Sequence, residues 1–320
     1  MTSHTISGLL IVDKPAGISS YDVVRELKRG IKGVKIGYVG TLDPFATGVL
    51  PILLGEGTKL APFLERGTKF YEATLQLGVT TDTQDKEGEV QRVEELEHYD
   101  LSIRRVKEVI QRFKGKIKQL PPMYSALKHK GKRLYKLARI GKEVERKPRE
   151  VEILELQVKY ASLPYLHLHI ECSKGTYIRT LAHDIGEKLG CGAHLAELRR
   201  TRSGSFSIKD ILTLKDIREL IKEGKIEERI LPLTQALDFF PLVEVGENIA
   251  MQIHQGQAVT LDGFKTGCRN NEGLVRVVLT EGRDLIAVGR LKKEGEHFLL
   301  RPLRVFHASL LRCPPVGAIH

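Results

Sequence analysis

Apolar residues in this 320-residue chain switch between a period of two and a period near 3.6, and the switches follow no regular order. Gly8 to Val12 reads as a short buried strand. Ser19 and Asp22 then mark a helix start, with Val23, Val24 and Leu27 on its apolar face. Residues 48–54 form an apolar strand, Thr58 to Leu64 has helical spacing, and Tyr71, Ala73, Leu75 and Leu77 alternate as in a strand. Ile103, Val106, Val109, Ile110 and Phe113 share one side of an amphipathic helix. Residues 151–160 and 165–172 alternate on either side of Leu163-Pro164 and are expected to pair. Thr176 to Leu189 reads as a helix, 193–199 as a strand and 214–221 as a short helix. A regular strand–helix–strand repeat would predict a parallel sheet. Without one, the order predicts an α+β protein with a mixed or antiparallel sheet.

At roughly 150 residues per domain the length predicts about two domains. The pattern breaks around Leu231 to Pro241, so a first domain is expected over 1–240. Short runs beyond it (Leu242–Val245, Leu274–Leu279, Leu285–Leu291, Phe298–Phe306) predict a small β-rich module over 241–307. Residues 308–320 carry no pattern and read as a tail. No apolar run approaches the ~18 residues of a membrane helix, and Met1 to Gly8 lacks a signal-peptide pattern. A cytoplasmic, monomeric protein without membrane contact is expected. None of Cys172, Cys191, Cys268 and Cys313 sits in C-x-x-C spacing, and reduced cysteines are expected.

The formal net charge is +11, and it is not evenly spread. Residues 101–150 hold 17 Lys and Arg against four acids, a net of +13 that leaves −2 for the rest. Most Lys-rich stretches are solvated helical faces. Here the concentration favours nucleic acid: Lys128, Lys130, Lys132 and Arg133 interleave with Tyr124 and Tyr135, a pattern suited to phosphates flanked by exposed bases.

Several chemistries are excluded by pattern. The chain has no G-x-x-x-x-G-K-[ST] loop, and Gly55-Glu56-Gly57 lacks the third glycine of a dinucleotide loop. His167 and His169 face the same way on a strand, but no further ligand has metal-site spacing. No metal and no cofactor is expected. Asp43, in Gly40-Thr41-Leu42-Asp43-Pro44, is by itself an ordinary turn residue. Arg179 falls in the first turn of a helix, where the dipole disfavours a cation. A partner carboxylate would offset that, and Asp43 is a candidate.

Gly40 to Pro44 followed by Ala46-Thr47-Gly48 resembles the catalytic motif of the bacterial tRNA pseudouridine-55 synthases of the TruB type. Asp13-Lys14-Pro15-x-Gly17-x-Ser19-Ser20 is similar to their opening motif. So are Lys69-Phe70-Tyr71, Thr81-Asp82-Thr83, Gln119 to Ala126, Cys172 to Arg179 and Leu189 to Arg200. Ordered motifs of this kind run from about Gly8 to Pro241, and 242–306 resembles the family's PUA-type RNA-binding module. The resemblance implies that the glycosidic bond of a uridine is broken, the base turned, and the bond remade through carbon. That chemistry needs no cofactor or metal. It implies Asp43 as nucleophile, toward base or sugar, with Arg179 as its partner. Tyr71 would pack on the uracil, and Tyr177, Leu198 and Lys14 would line the substrate site. The basic stretch would grip the T-arm of tRNA. Tyr71 and Leu198 also fit plain core positions. Tyr38 stands where the family usually has His; it would keep stacking on the flipped nucleotide but cannot become cationic near neutral pH. Two alternatives stay open: a guide-RNA-dependent synthase subunit, and an RNA-binding or RNA-folding protein without catalysis.

Overall fold

The computed structural model describes residues 6–125, 127–261, 272–280 and 284–306. The proposed tail, Cys268 and Cys313 lie outside the described residues. Among these residues a ten-stranded mixed sheet forms the body of the protein. Its main path runs Leu212–Thr213, Gly8–Lys14, Thr47–Leu54, Ala193–Ser203, Lys69–Leu77, Tyr165–Cys172, Arg149–Ser162, Gly115–Gln119. Ile36–Tyr38 and Phe206–Ser207 pair off this path. Thr47–Leu54 lies parallel to Ala193–Ser203, and Gly8–Lys14 parallel to Leu212–Thr213; the other pairs are antiparallel.

Gly8–Lys14 shows why the first strand reads as an unbroken apolar run. Leu9 and Ile11 enter one cluster, Leu10 and Val12 another on the opposite face. Helix Ser20–Gly30 covers the second cluster through Val23, Val24 and Leu27. Its start is fixed by a capping box between Ser19 and Asp22, a device worth about 1 kcal/mol. Helices Ile103–Gln111 and Ile178–Leu189 cover a third cluster over the other half of the sheet.

Leu242–Val245, Val259–Leu261, Gly273–Leu279, Leu285–Glu294 and His297–Val305 build a second, five-stranded sheet. It packs on the first: Val278, Leu285, Val288 and Phe306 share a cluster with Leu9, Ile11, Val49 and Leu53.

The structure departs from the sequence reading at several elements, among them the following. Residues 58–64 split into a 3₁₀ helix, Gly55–Leu60, and a short α-helix, Ala61–Leu64, with Pro62 in its first turn. Gly115–Gln119 is an edge strand that its lysines hide from an apolar pattern; Lys116 and Lys118 sit opposite Glu152 and Glu150. Helix Glu247–His254 precedes the C-terminal strand Val259–Leu261, and neither showed in the pattern.

Candidate active site

Asp43 sits in the loop between Ile36–Tyr38 and Thr47–Leu54. The Ala46 amide donates to the Asp43 carbonyl at 3.1 Å, closing a turn with Pro44 in its second position. Buried donors hold this loop from below. Ser20, the first residue of its helix, donates to the Leu42 carbonyl (3.1 Å) and accepts from the Leu42 amide (2.9 Å). Arg200 donates to the Gly40 carbonyl at 2.9 Å and to the Val49 carbonyl at 2.7 Å. The close fit requires glycine at 48: a side chain there would meet the Arg200 carbonyl at 2.2 Å, and φ is +101°.

Lys14, expected from the resemblance to line the substrate site, turns its ammonium to this underside. Its ammonium donates to the carbonyls of Pro15 (2.8 Å), Ile18 (2.7 Å) and Pro44 (3.0 Å). All three donors are used and the side chain is buried. Burial lowers its pKa to about 8, with Asp43 opposing. Lys14→Met is expected to destabilise the protein by at least about 2 kcal/mol, because buried carbonyls lose their donor; urea unfolding measures it, and an unchanged midpoint would show that the loop holds itself.

Arg179 comes from the other side. It is the second residue of helix Ile178–Leu189 and its side chain is 4% exposed. All three nitrogens of the guanidinium face oxygen atoms. Nε lies 2.9 Å from Asp43 Oδ2, and Nη2 donates to Asp43 Oδ1 (3.3 Å) and the Tyr124 carbonyl (2.8 Å). Nη1 donates to the Thr83 carbonyl (3.0 Å) and lies 3.4 Å from Asp85 Oδ2. The two carboxylates offset the unfavourable place of a cation at a helix N-terminus. Gln119 fixes the entry to the helix by pairing with both the amide and the carbonyl of Tyr177, at 2.8 and 3.0 Å.

The Asp43 side chain keeps 35% exposure, so its outer edge stays accessible. Its pKa is raised, first by burial and further by Asp85, with Arg179 pulling it down. Tyr71 and Leu198 stand on adjacent strands in the cluster that also contains Leu42, Phe45, Ala46 and Ile178. Both are buried, and burial pushes the Tyr71 hydroxyl up to about 12. Tyr177 is half-buried at the helix start, its hydroxyl also raised by burial. Tyr38 is placed differently: its ring packs against the cluster beneath helix Ser20–Gly30 rather than the one holding Tyr71.

Lys128–His129 and Lys132–Arg133 form a hairpin whose two-residue turn, Lys130-Gly131, has positive φ at both positions. Lys128 faces Arg133 and His129 faces Lys132. Like charges opposed across strands destabilise the hairpin unless an anion lies between them. Lys128, Lys130, Lys132 and Arg133 are exposed, and among the described residues none has a carboxylate within ion-pair distance. Leu134 and Tyr135, just after the hairpin, bond back to Leu127 and Ser125, next to the Tyr124 carbonyl that Arg179 uses.

Ser20, Gln119 and Arg200 were read only as members of motifs, without a role, and Asp85 was not read at all. His167, noted for its spacing with His169, bonds to Thr74 Oγ1 at 3.0 Å and stacks on Tyr160. Among the described residues no three His, Cys, Asp or Glu side chains gather as a metal site, and no helix is long and apolar enough to cross a membrane. Cys172 and Cys191 are buried free thiols.

The architecture is shared with solved structures. A Cbf5–Nop10–Gar1 complex matches with a TM-score of 0.74 at 27% identity, over 95% of this chain and 86% of that one. An H/ACA RNP bound to a substrate RNA containing 2'-deoxyuridine matches with a TM-score of 0.73 at 25% identity. The family description "TruB family pseudouridylate synthase (N terminal domain)" matches residues 28–178. "tRNA pseudouridylate synthase B C-terminal domain" matches 179–238, and "Pseudouridine synthase II TruB, C-terminal" matches 241–306. The tRNA pseudouridine synthase B of Geobacter sulfurreducens is 46% identical over 78% of this chain and 82% of its own length. That of Syntrophomonas wolfei is 43% identical over 93% and 98%. The chain belongs to the TruB family of pseudouridylate synthases, isomerases of uridine.

Proposed function

We propose that this chain, acting alone, converts uridine 55 in the T-loop of tRNA to pseudouridine, with Asp43 as the nucleophile on a flipped-out base. The observation that carries this reading is the Asp43–Arg179 pair: the Asp43 side chain keeps 35% exposure, and its loop neighbours Leu42, Phe45 and Ala46 share a cluster with Tyr71 and Leu198. Arg179 favours the ionised form that a nucleophile needs and fixes its direction. Turning the base out of a folded loop costs a few kcal/mol, which contact with an apolar, aromatic wall offsets. Relatives bearing the name tRNA pseudouridine synthase B support tRNA as the substrate.

In this reading the hairpin carrying Lys128, Lys130, Lys132 and Arg133 grips backbone phosphates, and residues 241–306 add RNA contacts as a PUA-like module. Lys14 supports the Asp43 loop. The enzyme works as a cytoplasmic monomer without metal or cofactor. Replacing all four hairpin cations by Ala is expected to weaken tRNA binding and to flatten its salt dependence. Each lost phosphate contact lowers the log–log slope by about 0.7–0.9. Binding titrations at three salt concentrations measure this, and an unchanged slope would remove the hairpin from the interface.

The direct test is turnover of an unmodified tRNA transcript by the purified chain, with pseudouridine mapped by position. Modification at the T-loop uridine without guide RNA supports the reading. Salt-sensitive binding with no turnover would overturn it in favour of a guide-dependent subunit or a non-catalytic RNA binder.

A further inference from the structure

Gln84 is one of two described non-glycine residues with positive φ, at +63°, and the other lies at the hairpin tip. The left-handed region is rare for a residue with a side chain, and such residues cluster where the surrounding structure holds them for a purpose. Gln84 lies between the two residues of its loop that reach Arg179. Thr83 gives its carbonyl to Nη1, and Asp85 presents Oδ2 to the same nitrogen. The reversal at Gln84 brings a main-chain oxygen and a side-chain oxygen, two residues apart, to one point.

The loop is then tied to the helix that carries Arg179. Gln84 Oε1 accepts from Thr180 Oγ1 at 2.9 Å, and Thr180 is the next residue after Arg179 and is buried. The Gln84 backbone is also held, its amide by the Thr81 carbonyl and its carbonyl by the Leu195 amide. Asp85 Oδ1 is occupied by Thr83 Oγ1 (2.6 Å) and the Glu87 amide (3.0 Å), which leaves Oδ2 for the guanidinium.

We propose that Gln84 is a positioning residue. Its side-chain bond to Thr180 locks the 81–88 turn against helix Ile178–Leu189, so that Thr83 and Asp85 hold the Arg179 guanidinium in register with Asp43. This rests on the reading of Asp43 and Arg179 given above. Gln84 does not touch the reacting atoms; it acts through Arg179.

The test uses the full chain, an unmodified tRNA transcript and single-turnover rates, with Asp43→Asn as the inactive reference. Gln84→Asn keeps a residue tolerant of the left-handed conformation but is too short to reach Thr180. Gln84→Gly removes the bond and relaxes the backbone, so it keeps the fold. Thr180→Val removes the donor at nearly constant shape, and Thr180→Ser retains it. Gln84→Asn, Gln84→Gly and Thr180→Val are each expected to lower the rate about tenfold with unchanged tRNA affinity, because a looser guanidinium misplaces the carboxylate. Their acid limb should move to higher pH, since Arg179 then opposes burial less effectively at Asp43. Thr180→Ser should keep the parent rate, and the Gln84→Asn/Thr180→Val pair should be no slower than either single variant. Parent rates in Gln84→Gly and Gln84→Asn would overturn the proposal, as would losses that multiply in the double variant or appear in affinity instead of rate. A parent chain with no turnover would fail the functional reading itself. An active parent beside unaffected Gln84 variants would fail only this inference.

Discussion

Asp43→Asn is expected to abolish pseudouridine formation while tRNA still binds. The amide is nearly isosteric, and its oxygen can still accept from Arg179, so the loop held by Ser20, Lys14 and Arg200 has no reason to move. What is lost is the nucleophilic oxygen. Removing a covalent nucleophile costs at least about a thousandfold in rate, well beyond the effect of misplacing one. In the parent, the carboxyl must be ionised to act, and burial together with Asp85 raises its pKa while Arg179 lowers it. The rate should therefore fall on the acid side at a pH above the ordinary carboxylate range, and that limb should be absent from any residual activity of Asp43→Asn. Position-mapped pseudouridine yields from parent and variant, across pH, provide the measurement. A variant that turns over within tenfold of the parent would remove Asp43 from the role of nucleophile.

The sequence made particular parts of this arrangement legible. Gly8–Lys14, Lys69–Leu77 and Tyr165–Cys172 were visible because each buries at least one face at period two. The Asp43–Arg179 contact was legible as a need: a cation in a helical first turn asks for a carboxylate, and motif resemblance pointed to one. Other features were hidden for physical reasons. Gly115–Gln119 is an edge strand that exposes lysines, so it carries no apolar signal. Asp85 sits two residues beyond a motif that was read, and only the turn at Gln84 brings it to Arg179. Lys14 was placed at the substrate by the resemblance of its motif. Its three carbonyl partners come from residues 15, 18 and 44, which sequence does not bring together. Tyr38 was placed by its spacing from Asp43 in the family motif, and its ring packs against the cluster beneath helix Ser20–Gly30.

Arg179→Met should harm the protein twice, and the two effects should part company with pH. The guanidinium is 4% exposed and meets Asp43 and Asp85, so its removal leaves the buried Asp85 and the partly exposed Asp43 without their cation. Truncating one partner of a buried ion pair typically costs about 3–5 kcal/mol. In the variant Asp43 is expected to titrate further above its unfolded value, having lost the cation that opposed burial. A group with a raised folded pKa favours the fold most at low pH and loses that contribution as pH rises through the folded value. The stability deficit against the parent should therefore be larger at pH 7 than at pH 5, and chemical denaturation at the two pH values measures it. Catalysis should move the opposite way: the variant needs Asp43 ionised without help, so its rate should fall about a hundredfold or more at pH 7 and recover partly as pH is raised. Arg179→Lys keeps a charge but cannot make five donations in a plane, so it should lie between parent and Met in stability while staying impaired in rate. Equal deficits at both pH values would mean that Arg179 serves packing alone. A parent-like rate in Arg179→Lys would mean that charge without direction is enough to prepare Asp43.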